Sequence, residues 1–252
     1  AATGQTVTGT TALNSAAVDA GSRLANGDAI TITVTNAGAT NLAAGNDQTS
    51  GAITFTFNTA PDATSGQFST LNELKALIDS NVGMSASVVG GTLTVTGDPR
   101  SSLVVAVANN GERLMTAATT AATYVPTASA TNMASGAITP SFKRSVQIFD
   151  SKGAAHTLSM AFLKSNHANT YYTEVFIEPA GDTNLAIVDG IVAHGRIRFN
   201  TDGTIDIPNT DAAFQGAENG GSDLTINYST AQGATTPQTI KLNLGANGTA
   251  DG

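Results

Sequence analysis

Ser145-Val-Gln-Ile-Phe-Asp-Ser-Lys-Gly153, running on to His156-Thr-Leu-Ser-Met-Ala-Phe162, decides how this chain is read. Val146 and Ile148 alternate with polar residues before an Asp150-Ser-Lys-Gly153 turn. Leu158, Met160 and Phe162 alternate after it. Period-two patterning on both sides of a glycine-containing turn predicts a β-hairpin.

The same periodicity extends in both directions. Upstream, Ile30, Ile32 and Val34 alternate with threonines over Ala29 to Thr35. Ile53, Phe55 and Phe57 repeat the pattern after the polar loop from Asn36 to Gly51. Leu93 and Val95 follow Gly90-Gly91 as a third strand, and Leu103 to Val107 make a fourth. One helix interrupts them at about residues 70–82. Thr70-Leu-Asn-Glu73 fits a capping box, Leu71, Leu74, Leu77 and Ile78 share a face, and Gly83 is placed to stop it. Downstream, strands are expected over Tyr171–Ile177, Gly195–Phe199, Thr204–Ile207, Leu224–Tyr228 and Ile240–Leu244. Asp202-Gly203 supplies a hairpin turn between Phe199 and Ile205.

Ala117 to Pro140 is rich in Ala, Thr and Ser with little periodicity, and reads as an inter-domain connection or an ordered surface loop. The fold class is therefore mainly β, as two β-rich domains of barrel-like or sandwich-like type, the first carrying the amphipathic helix. The expected domains are residues 1–120 and 121–252. Residues 1–20, including Thr6-Val-Thr-Gly-Thr10, are assignable to either.

Composition narrows function. Only 12% of the 252 residues are charged, and eleven basic against nineteen acidic side chains give a net charge of −8. Nucleic acid and anionic lipid need basic patches, so neither is an expected partner. With no cysteine there are no disulfides or thiolate sites. No apolar run reaches the roughly 20 residues that span a bilayer, so no membrane insertion is expected. The chain opens Ala-Ala-Thr-Gly with no visible signal peptide, and reads as a segment of something longer.

No catalytic, cofactor or metal residues are assigned. His156, His167 and His194 form no close ligand pair, and surface or turn roles are expected for them. Asn200-Thr-Asp202-Gly203 looks like a calcium loop, but Arg198 and Asn209 stand where acidic ligands are needed. Asp47, Asp62, Asp182 and Asp189 read as solvated loop acids. Gly90-Gly91 and Gly220-Gly221 lack the Lys-Ser/Thr of a phosphate loop. Asn26-Gly27, Asn110-Gly111, Asn219-Gly220 and Asn247-Gly248 read as turns. Tyr171 and Tyr172 suggest a sugar-stacking platform, but adjacent strand residues face opposite ways and few other aromatics are on hand to complete a site.

The Ser145–Gly153 and His156–Phe162 motifs closely resemble a segment of the bacterial flagellar hook protein, and the resemblance runs from about Phe142 to Leu244. It includes Phe199-Asn-Thr-Asp-Gly203 and Gln238-Thr-Ile-Lys-Leu-Asn-Leu-Gly245. Residues 27–107, with their Ile-Thr-Phe-Thr-Phe strand and Ser-Thr-Leu-Asn-Glu-Leu helix start, resemble modules inserted into flagellins and hook-associated proteins. The resemblance implies an extracellular structural subunit of the hook, the flexible universal joint between rod and filament. It also implies other hook subunits as homopolymer partners, together with the hook cap, rod and hook–filament junction proteins. The family's tube-building terminal helices are missing, so this segment alone is expected to be monomeric. The rival reading is a carbohydrate-binding or adhesin module of a secreted protein.

Overall fold

A computed structural model describes residues 7–36, 51–81, 84–108, 118–120, 122–184, 188–214, 221–229 and 237–249. Asp47, Gly83, Gly111 and Gly220 lie outside them, as does most of the Asn36–Gly51 loop. The chain forms two compact units, divided at Thr123/Tyr124.

Threonine alternating with isoleucine builds the first unit. Strand β1 (Ala29–Asn36) buries Ile30, Ile32 and Val34, while Thr31 and Thr33 stay half-buried. It pairs antiparallel with β2 (Gly51–Phe57), where the Thr31 and Thr54 hydroxyls meet at 2.8 Å. Strand β3 (Gln67–Phe68) joins β2 in parallel and leads into helix α1 (Leu71–Asp79). The capping box forms as read: Glu73 N donates to Thr70 Oγ1, and Thr70 N to Glu73 Oε2. Leu71, Leu74 and Ile78 then close over Phe55, Phe57 and Phe68. The helix ends at Asp79, short of the expected residue 82.

Strands β4 (Met84–Val89) and β5 (Thr92–Gly97) form a separate hairpin through Gly90 and Gly91, both at positive φ. Strand β4 escaped the sequence reading because Met84-Ser-Ala-Ser-Val-Val89 has only Ser and Ala before its closing valines, too few large apolar residues to show an alternation. Strands β6 (Ser101–Ala108) and β7 (Ala118–Thr120) complete a sheet ordered β3-β2-β1-β6-β7. Leu13 and Leu24 belong to the same core, and Leu13 N donates to Ser69 O, so residues 13–24 pack on this unit.

The second unit is a sheet ordered β11-β10-β9-β8, from β8 (Phe142–Phe149), β9 (Ala155–Lys164), β10 (Thr170–Glu178) and β11 (Ile191–Arg198). The hairpin of β12 (Gly221–Ile226) and β13 (Gln238–Asn243) adds Leu224, Ile226, Ile240 and Leu242 to the core of Leu158, Val175, Ile177 and Ile197. The result is layered; no closed barrel forms among the described residues. Thr204–Ile207 is not a strand: only the bridge Phe199↔Ile205 forms, and a 3-10 turn begins at Ile207. Pro208, lacking an N–H, cannot continue a ladder there.

The Ala-rich connection also differs from a linker. Tyr124 and Met133 are buried and pack on Tyr172, Phe176 and Ile191, the second face of β10. Among the described residues, 122–138 is an ordered loop whose latter part belongs to the second core.

Candidate functional site

Strand β10 is buried on both faces, which makes its Glu174 conspicuous. Glu174 falls on the face of Tyr172 and Phe176, and its carboxylate accepts the Met133 amide at 3.0 Å and the Ala134 amide at 2.8 Å. Burial pushes its pKa up; the two amides and the Tyr124 hydroxyl pull the other way without cancelling the rise. Beside it, Asn132 accepts from Ser135 N and donates to Asp189 at 2.7 Å. The loop is thus fastened to the middle of the sheet by hydrogen bonds as well as by Tyr124 and Met133.

A second network lies under the Asp150–Gly153 turn. Gly153 takes a positive φ there, and Asp150 Oδ1 accepts the amides of Lys152 and Ala154. The other carboxylate oxygen sits 3.4 Å from His156 Nε2, while His156 Nδ1 lies 2.8 Å from Asp182 Oδ2. Tyr228 stacks on the imidazole at 4.5 Å. A carboxylate only accepts, so both contacts are satisfied when each ring nitrogen carries a hydrogen. Burial raises the Asp150 pKa, but the two amides and His156 outweigh it and the net shift is downward. His156 is therefore buried between two acids, not at the surface, and Asp182 is one of its partners, not a solvated acid. His167 is also buried, while His194 stands opposite Glu174 in the β10–β11 register. A third network joins Arg196 to Asp211, with Nη2 to Oδ1 at 3.1 Å.

These acids and bases act on one another. Both ring nitrogens of His156 face carboxylates, and the arrangement fastens turns in place. Asp202 likewise serves its own turn, accepting from Thr204 N and Oγ1.

An aromatic cleft marks the opposite face of β10 at its start. Phe142, Phe162, Tyr171 and Phe199 line a space of about 430 Å³ with Asn169, Asn200 and Thr201. Tyr171 meets Phe162 and Phe199 edge-on, at 6.4 and 6.0 Å. Tyr172 points the other way, onto Tyr124. The rings that sequence reading could not gather around Tyr171 are thus supplied by β8, β9 and the residue after β11. Lys164 Nζ lies 4.6 Å over Tyr171, and the Arg144 guanidinium 4.4 Å over Phe142. Each cation makes a cation–π contact with its ring, and a cluster of aromatics with arginine is typical of protein interfaces.

The model for the flagellar basal body protein FlaE D2 domain matches residues 115–251, which is more than half of the chain. Among solved structures, the chain is similar to a 32 kDa fragment of the flagellar hook protein FlgE from Caulobacter crescentus. Identity there is 20%, with 45% of this chain and 41% of that fragment covered and a TM-score of 0.34. The chain thus spans less than half the length of that fragment. No curated protein sequence matches it.

Proposed function

Because the chain belongs to the flagellar hook protein family through its FlaE D2 domain, we propose that it is a structural segment of a hook subunit, within the tube that carries motor torque to the filament while bending as a universal joint. The carrying observation is the family match over residues 115–251, covering the whole sheet of the second unit. In this reading the subunit is extracellular. It polymerises with further copies of itself and meets the cap, rod and hook–filament junction proteins at the ends of the tube. In this reading residues 1–120 form an inserted module, of which residues 1–114 precede the matched stretch.

The surface suits the role. Subunits of a bending tube must exchange contacts, which favours interfaces below about 1,200 Å² over one large apolar seam. Threonine-rich strand faces such as Thr31 with Thr54 offer exchangeable hydroxyl contacts. The test is deletion of residues 115–251 from the full-length protein in its own host, with hooks viewed by electron microscopy. Absent or malformed hooks are expected; normal hooks and normal swimming would refute the role. The Tyr171 cleft is what a saccharide-binding reading would use. Glycan binding by the wild type that is lost in Tyr171→Ala would favour that rival.

A further inference from the structure

Strand β8 is the anomaly of the second unit. It sits at the sheet edge and pairs only with β9. Its outer row of backbone groups has no strand partner among the described residues, although Gln238 Nε2 donates to Phe149 O. Three of the six large hydrophobic residues exposed among the described residues lie on this one strand: Phe142 at 43% and Val146 at 57% on one face, and Phe149 at 56% on the other. A long apolar edge is a template for association unless something covers it. Phe142 continues the stripe into the aromatic cleft, where Arg144 stacks on it.

The charge of this hairpin says what covers it. Lys143, Arg144, Lys152 and Lys164 against the single acid Asp150 make residues 142–164 net +3, so the rest of this −8 chain carries −11. Lys143 is paired with Glu178 at 2.8 Å, but Arg144 and Lys152 meet no carboxylate among the described residues. A basic, apolar edge on an acidic chain is complementary to the rest of that same chain. Two copies of the edge would instead repel one another. Attraction between unlike surfaces of identical subunits is heterologous and propagates as an open filament, where an isologous contact would close as a dimer.

We infer that the exposed edge of β8, with Phe142, Arg144 and Val146 on one face, docks against the acidic surface of a second copy of this chain. The inference rests on the hook reading and names the face that a neighbouring subunit covers. The contact is weak in the isolated 252-residue chain and is screened by salt.

The chain has no cysteine, so Val146→Cys introduces a single thiol at an exposed position, and Val89→Cys, at the β4–β5 tip, serves as the control. Thiol modification would be followed alongside sedimentation as protein concentration rises. Between about 10 µM and about 1 mM, Val146→Cys should slow about threefold, as for a contact with Kd of about 0.2 mM. The protection should fade when NaCl is raised from about 50 to about 500 mM, and also when Arg144→Glu is added to Val146→Cys. Association that leaves Val146→Cys as reactive as Val89→Cys would overturn this face while leaving the hook reading intact. No association up to 1 mM would overturn the inference too, and protection that persists in high salt would overturn its electrostatic basis. Loss of the hook role itself would show instead in the deletion experiment above.

Discussion

The two units solve the same problem with opposite chemistry. The first fills its core with Ile30, Ile32, Phe55, Phe57, Phe68, Leu74 and Ile78, and its buried acids Asp28 and Asp98 sit in turns, where they accept the nearby amides of Ala25 and Arg100. The second threads charge through its interior: Glu174, His156 with Asp150 and Asp182, and Arg196 with Asp211 are all buried. An apolar core gains from every methylene buried and tolerates exchange of similar shapes. A buried charge gains little over an apolar substitute, yet losing its partner is costly, so such networks fix which strand and turn meet. The first unit is held by area and the second by partners.

A convenient asymmetry lets the two be followed apart. All four tyrosines lie at or after Tyr124 and there is no tryptophan, so tyrosine fluorescence reports the second unit while circular dichroism reports both. The largest effect is expected from Phe57→Ala, which empties a fully buried site and should cost the first unit about 3–5 kcal/mol. The dichroism transition should split while the tyrosine midpoint stays put; a tyrosine midpoint that moves as far would break the separation. Glu174→Ala should do the reverse, stranding the Met133 and Ala134 amides at about 1–3 kcal/mol each. If the tyrosine midpoint is unchanged, the loop is not fastened by this carboxylate.

Acidity sharpens the contrast with a smaller effect. Glu174 has a raised pKa in the fold, so its contribution is fullest below its unfolded value and is lost as pH rises through the folded one. Asp150 and Glu178 have lowered values, so theirs are present above the unfolded values and lost as pH falls through the folded ones. The tyrosine midpoint should therefore rise modestly from about pH 7 to about pH 5 and fall below about pH 4. Glu174→Gln should abolish the rise; a steady fall from neutrality in the wild type would contradict the assignment. The smallest change is Thr70→Ala, which removes the helix cap and should cost about 1 kcal/mol, seen by dichroism alone.

What was legible in the sequence follows from the same contrast. Local period-two patterns placed β1, β2, β5, β6, β8, β9 and β10, because alternation is written into adjacent residues. The capping box placed α1 for the same reason. The charged networks were not legible, since Asp150, His156 and Asp182 belong to different turns and become partners only when the sheet forms. Glu174 was the one available signal, a carboxylate in mid-strand among Tyr172, Val175 and Phe176. The aromatic cleft was hidden likewise, because its four rings come from β8, β9, β10 and the residue after β11. The Ala-rich run after Thr123 stayed open between a connection and an ordered loop because its few anchors, Tyr124, Asn132 and Met133, carry no period.

The fastening of that run by Glu174 has a mechanical consequence. Force entering the second unit along the backbone from Thr123 reaches the Met133–Ala134 anchor before it reaches β8. Tension is thus delivered to the central strand, where ladders on both sides share it in shear, and the edge strand is spared from being unzipped one bond at a time.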